Sequence, residues 1–175
     1  IDPPGHPPRF PDDPALVRKV RRAIRAELET ARARFAVGSL AGGADVIFAE
    51  ELLARGAELQ VVLPCALDDF RSTSVDYDRP ELAHWRRRQA RVLKRLRPDQ
   101  LHHATKEPYL GTVELFTYTN EMVQGMAVVR AAQFGFPPEA VVLLDPKARR
   151  TPGGARHFVD VWRKGGRPAR EIDLA

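Results

Sequence analysis

FAVGSLAGGADVIFAEELLARGAELQVVLP, residues 35–64, is the stretch whose reading decides the fold. A first apolar run, residues 35–38, stops at Gly38-Ser39, and a second, residues 59–63, stops at Pro64. Between them Val46, Ile47, Ala49, Glu50, Leu52 and Leu53 recur with a helical period, and Gly56 stands where a helix C-terminus favours glycine. Strand, glycine turn, helix and strand make one βαβ unit, whose crossover is expected to be right-handed. The turn Gly38, Ser39, Leu40, Ala41, Gly42, Gly43 brings backbone N–H groups and a helix N-terminus to one point. Such a point favours an anion, most often a phosphate.

Upstream, residues 1–12, IDPPGHPPRFPD, hold five prolines and a glycine and read as an extended arm. Ile1-Asp2 resembles the end of an element, which leaves room for a strand before residue 1. Asp13 caps a helix with Pro14 at its first position, and Leu16, Val17, Val20, Ile24 and Leu28 form its apolar stripe. Arg18, Lys19, Arg21, Arg22 and Arg25 fall mainly on the opposite face.

Downstream, residues 65–78 are polar, with a short helical possibility at 67–70. They begin where a parallel strand ends, which places Arg71, Ser72, Thr73 and Ser74 to reach a ligand beside the glycine turn. A basic helix is expected over 80–97, with Leu82, Trp85, Ala90, Val92, Leu93 and Leu96 buried and Arg86, Arg87, Arg88, Arg91, Lys94 and Arg95 exposed. Residues 100–105 are weakly strand-like. The adjacent His102 and His103 would point to opposite faces there and could not share one metal. A long helix is expected over 111–134; Tyr118 and Asn120, near its start, are further ligand candidates. Residues 139–144 contain AVVLL, a buried strand, and the basic loop 147–150 leads to Thr151-Pro152-Gly153-Gly154. A helix over 155–164 and a strand over 169–174 complete a second βαβ unit. The alternation predicts an α/β protein: a doubly wound, mostly parallel sheet of about five strands with helices on both faces.

The totals bound the function. With 175 residues, 43% of them hydrophobic, one domain over 13–175 is expected. The formal charge of +5 balances 28 Lys and Arg against 23 Asp and Glu, so both signs are abundant and a dedicated nucleic-acid surface is disfavoured. Cys65 is the sole cysteine, which excludes an intrachain disulfide and a cysteine-rich zinc site. No apolar run approaches a membrane span and no signal-peptide core is visible, so a reducing cytoplasm and no membrane are expected.

The run GSLAGGADVIFAEELLARGAELQVVLP resembles the first motif of the SLOG superfamily. These are Rossmann-like domains that include the "lonely guy" phosphoribohydrolases, the DNA-processing protein A fold and prokaryotic nucleotide sensors. TPGGARHFVDVW, residues 151–162, is similar to their second motif, PGGxGTxxE. With DDFRSTSVD, the wording is most similar to the sensor branch found beside tetratricopeptide-repeat, TIR or other effector modules in bacterial signalling and defence.

The resemblance spans residues 36–173. It implies a nucleotide loop at Gly38, Ser39, Ala41, Gly42 and Gly43 and a second one at Gly153 and Gly154; Leu40, Asp45, Pro64, Arg71, Ser74, Tyr118, Asn120 and Thr151 complete the expected ligand set by their positions in or beside these turns and at strand ends. Asp160 would stand where the hydrolases carry their glutamate, while Arg156 and His157 replace the Gly-Thr of their motif. Asp160 and Arg156 are thus the catalytic candidates, and their departures from the motif weaken hydrolysis more than binding. The expected function is sensing of a nucleotide or nucleotide-derived signal, without a metal or further cofactor. The sensor would regulate an attached or partner effector and could form homo-oligomers. A phosphoribohydrolase cleaving nucleoside monophosphates is the alternative, and a nucleic-acid-binding domain the third.

Overall fold

The computed structural model describes residue 10 and residues 13–145 and 151–173. The rest of the proline-rich arm, residues 146–150 with the basic loop, and residues 174–175 lie outside the described residues, with the expectations attached to them. The chain divides into two compact units, residues 1–110 and 111–175.

In the first unit, α1 spans Pro14–Thr30, and the Asp13 carboxylate accepts the Ala15 N–H at 2.8 Å. That bond satisfies one donor that a helix N-terminus leaves unpaired, and Pro14 lacks the donor altogether. Val20, Ile24 and Leu28 are buried, as the stripe predicts, whereas Leu16 and Val17 stay half-buried. The central βαβ unit follows as β1 (Phe35–Gly38), α2 (Ala44–Ala54) and β2 (Glu58–Leu63), with Gly56 at φ +72° after the helix. Val46, Ile47, Ala49, Glu51 and Leu52 of α2 are all buried, because α2 packs against β2, α1 and α4.

The polar segment after β2 is helical for longer than expected: α3 runs Leu67–Ser74. A single 3-10 turn at Pro80–Leu82 then enters α4, Ala83–Leu93. The 3-10 turn Pro98–Gln100 precedes β3, Leu101–His103. β1, β2 and β3 form one parallel sheet in that order, with Val37 opposite Gln60 and Leu63 opposite His103. The core holds Leu40, Ile47, Leu52, Leu59, Val61, Leu63, Phe70 and Trp85, each 2% exposed or less. Burying a side chain of this kind contributes roughly 1.5–3 kcal/mol.

The second unit contains α5 (Glu114–Phe134), β4 (Ala140–Leu144), α6 (Ala155–Lys164) and β5 (Ala169–Asp173). Gly135 ends α5 at φ +71°. β4 and β5 pair in parallel around α6, the second βαβ unit of the sequence. Its core gathers Ala140, Val142, Leu144, Val159 and Trp162, and the Trp162 indole donates to the Pro168 carbonyl at 2.8 Å.

The class is therefore mixed α/β with short parallel strands. The strands form a three-stranded and a two-stranded sheet, and these pairings do not make the single five-stranded sheet that the alternation predicts. β3 is only three residues long and pairs with β2 alone.

Two expectations about side chains are corrected. Arg88, assigned to an exposed face, is 12% exposed, because its guanidinium lies 4.2 Å from the Trp85 ring centre and holds Glu50 at 2.7 Å. Ala90, Leu93 and Leu96 are only half-buried, while Gln89 is fully buried in their stead.

Candidate functional site

The glycine turn connects β1 to α2, and most of its polar groups are engaged within the chain. The Ala41 N–H donates to the Asp45 carboxylate at 3.1 Å, and the Gly42 N–H to the Ser74 carbonyl at 2.9 Å. Gly42 lies so close to Val75 that a Cβ would run into its carbonyl oxygen. Gly43 has φ +87° and serves as the N-cap of α2 without any side-chain hydrogen bond to the first turn. Among the described residues no hydrogen bond engages the Ser39 hydroxyl or the first-turn amides of α2, a smaller set of donors than the whole turn. Burial raises the Asp45 carboxyl above its ordinary value, against the hydrogen bond from Ala41.

Two of the predicted contacts are inside the fold. Leu40 is completely buried, and its carbonyl accepts from the Gln89 side chain at 3.1 Å. Pro64 is buried at the end of β2, where its carbonyl takes the Thr105 N–H at 3.3 Å. Neither offers a side chain to a ligand; both hold backbone in place.

The loop after β2 does adjoin the turn, as its position at a strand's carboxyl end predicts. Ser74 reaches Gly42 by its backbone, and Arg71 by way of a neighbour. Gln89 of α4 donates to the Leu40 carbonyl and accepts from Arg71 Nε at 3.1 Å, so one buried amide ties turn, α3 and α4 together. Arg71 also holds Asp68 at 3.1 Å and is 19% exposed. Its guanidinium is oriented in advance, which lowers the entropy lost on gripping an anion.

Phe10, the one described residue of the arm, covers this region. It is 8% exposed, packs edge-on to Trp85 with ring centres 5.6 Å apart, and lies where a Cβ on Gly43 would be. The space left between Phe10, Gly42, Val75, Tyr77, Leu82 and Trp85 is about 10 Å³, room for one water at most. Beside the turn, Asp76 is buried and held by Arg86, which also bonds Asp78 at 2.9 Å; Tyr77 and Asp78 both have positive φ.

Neither Gln89 nor Phe10 was among the predicted site residues. The signals were present: Gln89 is a polar residue on the stripe of Leu82, Trp85 and Val92, and Phe10 is the lone aromatic of a proline-rich arm.

The second glycine turn, within the other unit, is also closed on itself. Gly153 has φ +72°, its N–H donates to His157 Nδ1 at 3.3 Å, and its carbonyl accepts from Asn120 at 2.9 Å. The Gly154 N–H returns to the Thr151 carbonyl at 3.1 Å. The structure thus brings Asn120, Thr151, Gly153 and Gly154 together, with α5 against the turn: a Cβ on Gly153 would meet Phe116 at 2.9 Å. Tyr118 is 52% exposed and takes no part in these bonds. Arg156 donates to the Asp145 carbonyl at 3.0 Å, and Asp160 is half-buried one turn further along α6. A cation committed to a backbone carbonyl is poorly placed to neutralise a phosphate in a hydrolytic step.

The arginines available to nucleic acid are fewer than the helical faces imply. Arg21 and Arg25 bind Glu51, Arg21 and Arg88 bind Glu50, and Arg86 binds Asp76. Among the described residues no three His, Cys, Asp or Glu side chains converge to hold a metal, and no helix is long and apolar enough to cross a membrane. No family model matches this chain, and neither the curated proteins nor the solved structures contain a match.

Proposed function

We propose that this chain is a Rossmann-like, SLOG-type sensor that binds a nucleotide or nucleotide-derived signal at the glycine turn of its first unit. The supporting observation is Gln89: a fully buried amide that hydrogen-bonds the turn at Leu40 and Arg71 of α3. Phosphate at the uncapped start of α2 would take bonds from its amides and from Ser39, and Arg71 would add charge. Any shift of the turn then passes through Gln89 to α3 and α4, the elements that would signal to an effector, in cis or as a partner, in the cytoplasm. Binding can drive such a signal only if the two states of the turn differ in affinity.

Phe10 leaves no room for a base beside the turn, so the arm and the nucleotide compete. The test is thermal stabilisation of the full chain by a panel of adenine and guanine mono- and dinucleotides, linear and cyclic. One of them should raise Tm, the Phe10→Ala variant should bind it more tightly, and Ser39→Asp should abolish the rise while leaving the unliganded Tm within a few degrees. A panel that moves no Tm, in the parent chain or in Phe10→Ala, overturns the proposal. Release of free base from nucleoside monophosphates, lost in Asp160→Ala, would replace the sensor by the phosphoribohydrolase.

A further inference from the structure

A groove of about 340 Å³ lies on the face of β3 that carries Leu101 and His103. It shares no residue with the glycine turn. Its volume is at the lower end of the range for small-molecule sites. Strand alternation separates the two histidines: His102 faces the other way and meets Gln60 at 2.7 Å, which leaves His103 to the groove. Leu93 and Leu96 from the end of α4, Leu101 and Pro98 make the floor, and none of the four is fully buried. Leu93, Leu96 and Leu101 are half-buried and Pro98 is exposed, so together they present apolar surface that a ligand can remove from water.

The remaining lining is cationic. Arg97, His103 and Lys106 stand at the groove, with no acidic side chain among its lining. Arg97 is held by Asp99 at 3.1 Å, an exposed pair. The His103 imidazole and the Lys106 ammonium have neither a hydrogen-bond nor an ion-pair partner among the described residues. Burial, the Lys106 charge and His102 together keep the His103 imidazole below its ordinary value. A negative group between His103 and Lys106 would relieve that repulsion and accept hydrogen bonds from both.

We infer that this groove is a binding site for a small amphipathic carboxylate, its acyl or aryl-alkyl body on the Leu93, Leu96, Pro98 and Leu101 floor and its carboxylate between His103 and Lys106. The single anionic end follows from the two unpartnered nitrogen groups beside the apolar floor, the third cation, Arg97, being already held by Asp99. A neutral apolar molecule would leave that end unanswered, and a polyanion would lose the floor.

The experiment is a titration of the full chain with phenylbutyrate, followed by amide NMR, with phenylbutanol as the neutral counterpart. Saturable shifts should centre on Leu96, Leu101 and His103, and phenylbutanol should bind at least about tenfold more weakly. Lys106→Gln, an exposed change that the fold tolerates, should weaken phenylbutyrate about tenfold and leave phenylbutanol unchanged. Equal binding of acid and alcohol, an unaltered affinity in Lys106→Gln, or shifts spread over the surface without saturation would each overturn the inference. Nucleotides play no part in the assay, so its outcome is separate from that at the glycine turn.

Discussion

Gly42 and Gly38 belong to the same turn, yet the structure asks different things of them. A Cβ on Gly42 would strike the Val75 carbonyl, whereas nothing lies within 4 Å of one on Gly38. Gly42→Ala should therefore cost about 1–3 kcal/mol through overpacking, a fall in Tm of roughly 2–12 °C. Gly38→Ala should stay within about 0.5 kcal/mol. Differential scanning calorimetry of the two variants separates a glycine needed for packing from one needed only for the approach of a ligand. The turn itself was legible in the sequence. The reason for Gly42 was not, because its neighbour Val75 is 33 residues away along the chain.

At the scale of elements, α1, α2 and α4 are joined by charge as well as by apolar packing. Glu51 is 6% exposed and bonded by Arg21 and Arg25; Glu50 is 24% exposed and bonded by Arg21 and Arg88. Burial works to raise both carboxyl groups, and the hydrogen bonds from the arginines outweigh it, so both end below the ordinary glutamate value. The unfolded chain then binds more protons than the folded one in the window from the ordinary value of 4.5 downward. Stability from these pairs is complete above that value and is lost as pH falls through the lowered, folded one. Urea midpoints should drop between pH 5 and pH 3, and Glu51→Gln should lower the midpoint at pH 7 while flattening the drop. An equal pH dependence in parent and variant would remove Glu51 from the account. Helical periodicity located these helices, although the one expected over 80–97 is α-helical only over Ala83–Leu93. It placed Glu51 on no particular face, because the apolar residues of α2 are spread around the helix and its pattern carries little amphipathic signal.

For the whole molecule, the division into residues 1–110 and 111–175 has an energetic consequence. The first unit contains a sheet of three strands and a core that includes Trp85, Phe70 and several fully buried leucines. The second has two strands and, among its described residues, a core cluster of five buried residues that includes Trp162. Domains of this small size bury a low fraction of their surface and are marginal without further support. A fragment of residues 1–110 should keep cooperative thermal unfolding by circular dichroism, and one of residues 111–175 should lose its sigmoidal transition. The reverse order would show that the second unit is the autonomous one. Both βαβ units, and the parallel pairing within each, could be read from the alternation of elements. The pairing of the described strands as one sheet of three and one of two could not, since the alternation of elements is the same for one sheet as for two.

What the sequence determined by itself was local: the Asp13-Pro14 helix start, the strands ending at Gly38 and Pro64, the positive-φ glycine at 56 and the opposite facing of His102 and His103. Each of these depends on backbone preferences and on periods of a few residues. Only tertiary structure decided which groups of the candidate site are committed. Gln89 became the link between Leu40 and Arg71, Phe10 became the cover over Gly43, and Ala41 and Gly42 gave up their N–H groups to Asp45 and Ser74. Whether a polar group is available depends on what the rest of the chain brings within about 3 Å of it. No local pattern encodes that distance.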